Sequence, residues 1–332
     1  MEHVHVTYQV HVGICYAHTA AGMVDAYRFS HPAPEGDSNH AHLTAALDIA
    51  VSTTIQVDPE SRFDEGAYEL CPSVNYIQKT GSCNEAEVAR LYEKGERQDF
   101  VKLIARLDQS TRHWETRRDA LSVSGPAPSS RESMAKLGGD LAEDQYRRAE
   151  VSLACEVDAV LNELNQLANE KVAPLWEHIG NLLRHGNFNE AIFAVSEGAC
   201  MKVPRQKVSQ TFVCKSRPVA PDAVTLAEAH RLLSLSNPQP IGVKFCENMM
   251  DLGSAYVGKN PAGGKAKGCD MHYALVIGRQ KMNGKCMLLI RDSHGLDATY
   301  ATEWQPPIAG GAWVDEATLA RNAFAISTLD SR

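Results

Sequence analysis

The sequence predicts an α+β protein, helical through most of its length and mainly antiparallel sheet in its last third. Three observations carry this. Apolar residues recur at helical spacing in segments between residues 15 and 200. Three short apolar runs, 241–245, 273–278 and 286–291, then read as strands. Asn283-Gly284 lies between the last two, a dipeptide suited to a tight hairpin turn. Helices grouped first and strands last mark α+β rather than alternating α/β.

Taken in order, residues 15–29 read as a buried helix rich in alanine, with Ala17, Ala20, Ala21 and Val24 on its repeat. Residues 31–39 read as a loop of Pro, Gly, Asp and Ser, and 43–51 as a second short helix. A third helix is expected within 66–83, closing in a turn at 79–82. Helical period continues over 85–107, and 122–130 has linker composition. Residues 141–171 carry the stripe Val157, Val160, Leu161, Leu164 and Leu167, followed by shorter helices at 175–184 and 189–195.

At 332 residues the chain is long enough for one large or two ordinary domains, and 44% hydrophobic content allows a sizeable core. Net charge is −8, which argues against a nucleic-acid partner, because phosphate contacts need clustered positive charge. The basic stretch 202–217 reads as solvated surface. No apolar run approaches the ~18 residues of a membrane span, so no membrane partner is expected. The start shows no signal-peptide pattern, which leaves localisation open between cytoplasm and a non-classical export route. Residue 9 stands so near the start that an incomplete N-terminus is also expected.

Nine cysteines stand at 15, 71, 83, 155, 200, 214, 246, 269 and 286. Setting Cys15 aside leaves an even number. Up to four disulfides and a set of reduced thiols both remain open. No C-x-x-C pair or zinc-finger spacing occurs, so no structural metal is expected, and the thiol chemistry read below needs no metal or organic cofactor.

Chemistry concentrates in two places. Cys15 opens the first helix, where free N–H groups and the helix dipole favour thiolate, the reactive form. Gly13 leaves room for substrate backbone. Gln9 can turn its amide toward the thiol and, with the Cys15 N–H, form an oxyanion hole. His272 heads the apolar strand ending at Gly278, and Asp292 ends the partner strand of the hairpin. A carboxylate there can fix the imidazole tautomer.

These residues resemble the papain-like cysteine peptidases. The family's Gln, five intervening residues, then Cys-aromatic-Ala is matched by Gln9, Cys15, Tyr16 and Ala17. Its histidine also heads an apolar strand ending in Gly, like His272 to Gly278. Asp292-Ser293-His294-Gly295 is similar to its Asn-Ser-Trp-Gly block, and Pro240-Ile241-Gly242-Val243 to the strand before its histidine. The resemblance implies a two-lobed fold with a cleft between helical and sheet lobes. It implies Cys15 as nucleophile, His272 as base and then acid, Asp292 as orienter and Gln9 in the oxyanion hole. Gly66 matches a glycine that pairs with substrate backbone. The implied organisation is a helical lobe at 1–85, a helical insertion at 86–205 and a sheet lobe at 206–332. Two departures stand out: Asp292 replaces asparagine, and His294 replaces the tryptophan that shields the histidine from water.

The expected activity is hydrolysis of peptide or isopeptide bonds in a peptide or protein substrate. The insertion is left as a place for a protein partner. A transglutaminase-like acyl transferase or deamidase shares the geometry, and an inactive homologue acting as a binding module is the third reading. Among rivals, Cys83 with Gln78 has the wrong spacing and reads as a structural or disulfide cysteine. His18 reads as a helix-packing or surface residue, and His294 serves as base only in a shifted register. Glu303 and Asp315 have no partner spacing that suggests a glycosidase.

Overall fold

The computed structural model describes residues 13–31, 42–57, 70–90, 158–159, 162, 173–184, 188–200, 203–260, 264–295, 298–304, 308 and 310–331. Gln9, Gly66, Cys155, the linker at 122–130 and nearly all of the helix expected at 141–171 lie outside them. The chain divides into two compact units, one of Met1–Val88 with Cys200–Arg332, the other Ala89–Ala199. Mixed helix and antiparallel sheet make the protein α+β.

Helix α1 is Cys15–Ser30 and is buried on nearly every side, so it lacks a polar face. Helix α2, Ala46–Val57, starts later than its sequence pattern. Thr44 is taken instead by a bridge to Asn84 and by bonds to the Asp25 carboxylate. The helix then runs on through Thr53, whose hydroxyl is satisfied by the Ile49 carbonyl at 2.7 Å. Helix α3 is Leu70–Thr80, and the short α4 is Glu85–Ala89.

In the second unit, α5 (Ala173–Arg184) and α6 (Phe188–Cys200) bury Trp176, Ile179, Ala191 and Val195. A side chain on Gly198 would collide with Leu175, so the glycine allows α5 and α6 to approach closely.

Strands β1 (Phe212–Pro218), β2 (Ile241–Cys246), β3 (Met271–Met282), β4 (Lys285–Arg291), β5 (Gly311–Asp315) and β6 (Ala323–Ser331) form one antiparallel sheet. Its order is β1-β6-β2-β3-β4-β5. Asn283 and Gly284, with φ of 50° and 80°, make the β3–β4 turn. The basic stretch before residue 217 becomes edge strand β1, whose Lys215-Ser216-Arg217 face water and discourage further pairing.

One sheet face is covered by helices α7 (Ala227–Leu233), α8 (Asn248–Leu252) and α9 (Glu316–Asn322). Val243, Phe245, Val276, Leu288 and Ile290 pack there against Leu232, Met249 and Leu319. Helices α1 and α3 lie on the other face at Gly242, where an added Cβ would sit 2.2 Å from Leu70 and 3.1 Å from Met23. A glycine inside a strand therefore marks the close approach that seats α1 against the sheet.

Three disulfides join Cys71 to Cys214, Cys83 to Cys200 and Cys246 to Cys269. Among the described residues six of the remaining cysteines are thus bonded, and Cys286 is free and exposed. Cys83 is removed as a rival nucleophile. No helix among the described residues is long and apolar enough to cross a membrane.

Candidate functional site

Cys15 is the first residue of α1, and Ile14 before it supplies no side-chain cap. The N–H groups of Cys15 and Tyr16 at the helix start both act on the thiol. Burial pushes the Cys15 thiol up to about 11. The Tyr273 backbone N–H opposes this, Glu247 adds to it, and the N–H groups of Tyr16 and Cys15 itself oppose it further. That set of contacts places the sulfur against the head of β3, one residue from His272. Gly13 sits partly exposed in the bend before α1.

His272 is 2% exposed and Cys15 4%. The imidazole edge meets the Phe245 ring at 5.8 Å, as expected for residues directly paired across β2 and β3. Its Nδ1 lies 3.5 Å from Glu247 Oε2, while Nε2 is buried with no hydrogen-bond partner. Burial lowers the His272 pKa, opposed by Glu247, deepened by His294 and opposed again by Asp292. A neutral imidazole and a neutral thiol are the resting states these shifts describe.

Asp292 is drawn to other groups. It accepts from the His294 backbone N–H at 2.8 Å and from the Tyr300 hydroxyl at 2.8 Å, and its Oδ1 lies 3.4 Å from His294 Nδ1. The carboxylate on the His272 ring is Glu247. It also reaches His294 Nε2 at 3.0 Å and so joins the two imidazoles. Both nitrogens of His294 thus face carboxylates. Burial opposes its charge, but bonds to Asp292 and Glu247 prevail and push the ring up to about 10. Such a cation is a poor base, which removes His294 as an alternative to His272. It stacks instead on the His272 ring at 4.9 Å.

Burial likewise opposes the charge on Glu247 and Asp292. The His294 hydrogen bond and the electrostatic pull of the two imidazoles outweigh it, leaving both carboxyls below their usual range. Glu247 is held in place by its neighbours. Its N–H bonds the Asp270 carbonyl at 2.9 Å, the Cys246–Cys269 disulfide closes the same strand end, and Asn248 bonds Asp270 twice at 2.8 Å. Glu247 was not singled out from sequence. Its signal is the antiparallel partner strand ending beside His272, which places a residue two past Phe245 diagonally across from that ring.

His18 is buried within α1. Glu303 accepts from Ser254 N–H, and Asp315 caps α9 through Thr318. Gln9 and Gly66 have no place in this geometry, since both lie outside the described residues.

No family model matches the chain, and no curated protein matches it. Among solved structures, one from mites, determined to explain limited antibody cross-reactivity between the allergens Blo t 1 and Der p 1, aligns with a TM-score of 0.43. Identity is 11%, over 97% of this chain and 65% of that one.

The thiol predicts a distinct pH response. Alkylation of Cys15 by iodoacetamide, followed by mass spectrometry of its peptide, is expected to rise about tenfold per pH unit above neutrality and level only near 11. At about pH 8 its rate falls on the order of a hundredfold below that of an exposed cysteine. A rate already level at neutral pH would identify a preformed thiolate and overturn this resting state.

Proposed function

We propose that the protein is a cysteine hydrolase of papain-like kind, cleaving peptide or isopeptide bonds between a helical lobe and a sheet lobe. One observation carries it: the thiol that opens α1 rests on the backbone N–H of Tyr273, the residue next in sequence to His272, whose Nδ1 faces a carboxylate. With Nδ1–H directed to Glu247, the lone pair of Nε2 is left to take the thiol proton.

The Cys15 sulfur attacks the carbonyl carbon as its proton passes to His272 Nε2. The oxyanion is held by the Cys15 N–H and by the Gln9 amide that the resemblance assigns. Collapse breaks the C–N bond, and His272 returns the proton to the leaving amine. Water, deprotonated by His272, then cleaves the thioester and restores the thiol. Glu247 takes the positioning role that sequence spacing gave Asp292, and His294⁺ takes the shielding face of the family's tryptophan.

The burial of both Cys15 and His272 favours one competing reading, a binding module without catalysis. Substrate reaches them only when neighbouring groups move aside. Treatment with an epoxide or vinyl-sulfone probe and with a peptide substrate plus a free amine separates the readings. Labelling of Cys15, lost in His272→Ala, together with products ending in free carboxyl groups is the result expected of a hydrolase. Products carrying the amine indicate a transferase, and a Cys15 that never labels indicates the binding module.

A further inference from the structure

A second cluster of ligating side chains lies apart from Cys15 and His272. His230 of α7, Cys286 of β4 and Glu316 of α9 bring one ligand atom each to within 4.8 Å of one another. We propose that these three residues form a binding site for a thiophilic divalent transition metal of the zinc type.

The donor chemistry comes first. A thiolate, an imidazole nitrogen and a carboxylate oxygen are the three atom types that zinc takes in proteins. Cys286 is the free, exposed cysteine of the sheet. Zinc bonds of about 2.0–2.3 Å in tetrahedral array place ligand atoms about 3.3–3.7 Å apart, within reach of small side-chain shifts here.

A second observation concerns His230. Its Nε2 lies 2.6 Å from Glu316 Oε1, yet this buried nitrogen has no hydrogen bond of acceptable geometry. The same Glu316 oxygen already accepts from the Leu226 N–H at 2.9 Å. At 2.6 Å the two atoms are closer than ligands of one ion, so a cation would part them by roughly 0.7 Å or more.

The scaffold is rigid beneath these groups. Leu226, Ala229, Leu288 and Leu319 pack into one core under the three elements. The ligands stand at the rim of that layer, with Cys286 toward water, so a fourth position is left for solvent. A metal there ties α7, α9 and the β3–β4 hairpin together. Sequence spacing carries no sign of it, because the ligands are scattered over the C-terminal third of the chain.

The test uses the full chain carrying Cys15→Ser, which removes the other described free thiol, titrated with Co²⁺ and separately with Zn²⁺. Co²⁺ is expected to bind near one per chain, with the near-ultraviolet charge-transfer band of a cobalt–thiolate bond and the intense visible bands of a four-coordinate ion. Zn²⁺ is expected to displace it and raise the melting temperature. Cys286→Ser, an exposed and conservative change, is expected to abolish the charge-transfer band and weaken binding at least tenfold. His230→Ala is expected to weaken binding similarly while keeping the fold. Absence of binding at submillimolar Co²⁺, or visible bands that persist unchanged in Cys286→Ser, overturns the site. The second outcome would instead point to a thiol-free cluster such as Glu247, His272 and His294.

Discussion

His272→Ala is expected to lower kcat/KM for peptide hydrolysis on the order of 10⁴-fold or more, with the melting temperature little changed. No other described imidazole in the site is placed to substitute, since His294 is held as a cation by two carboxylates. The informative comparison lies between the two carboxylates. Glu247→Gln is expected to cost on the order of 10²-fold or more, because Glu247 is the group 3.5 Å from His272 Nδ1. Asp292→Asn is expected to cost less, its oxygens being engaged by His294 and Tyr300. A purely structural role is separated by the pH profile. Glu247 raises the His272 pKa against the lowering effect of burial, so its loss lowers that pKa further. The acid limb of kcat/KM, already below the usual histidine range, then moves to still lower pH in Glu247→Gln. A larger loss in Asp292→Asn than in Glu247→Gln would return the positioning role to Asp292.

That comparison also shows where sequence reasoning stopped. The apolar runs and the Asn283-Gly284 turn were legible because period and turn chemistry are local, and β2, β3 and β4 formed where they predict. A hairpin brings Asp292 near His272, but nearness is not contact. Arg291 pairs with Leu275, so one step further Asp292 stands opposite Ala274, diagonal to His272. Glu247 occupies the opposite diagonal across β2, and the bonds that hold it come from Asp270 and the Cys246–Cys269 link. Choosing between two diagonals requires side-chain partners that no spacing encodes. Cysteine pairing was equally closed to spacing, since Cys71 meets Cys214 only after α3 packs beside β1. Strand β6 escaped notice because Ala, Ser and Thr dilute its alternation, although both its neighbours pair with it.

Arg205→Ala is expected to destabilise the unit formed by Met1–Val88 and Cys200–Arg332 by about 3–5 kcal/mol near neutral pH. Arg205 grips the Asp48 carboxylate at 2.6 and 3.0 Å, and Asp48 is only 1% exposed. The Cys83 N–H is its other partner, at 3.1 Å. Around this pair the chain leaves for residues 89–199 and returns. The Cys83–Cys200 disulfide and the paired backbones of Ser82 and Gln206 close the gap. At Gly81, φ is 80°, and an added Cβ would touch the Gln206 backbone at 2.9 Å, so the closure is tight. Removing the guanidinium leaves a buried carboxylate with one backbone donor. Burial already raises the Asp48 pKa, and the Cys83 N–H and Arg205 hold it down, so the variant raises it further. A carboxyl whose folded pKa lies above its unfolded value favours folding at low pH, and that contribution is lost as pH rises through the folded pKa. Urea melts should therefore show a larger deficit for Arg205→Ala at about pH 8 than at about pH 5. Adding Asp48→Asn should recover part of it and flatten the pH dependence. An equal deficit at both pH values would show that the Arg205 side chain acts through packing rather than through its charge.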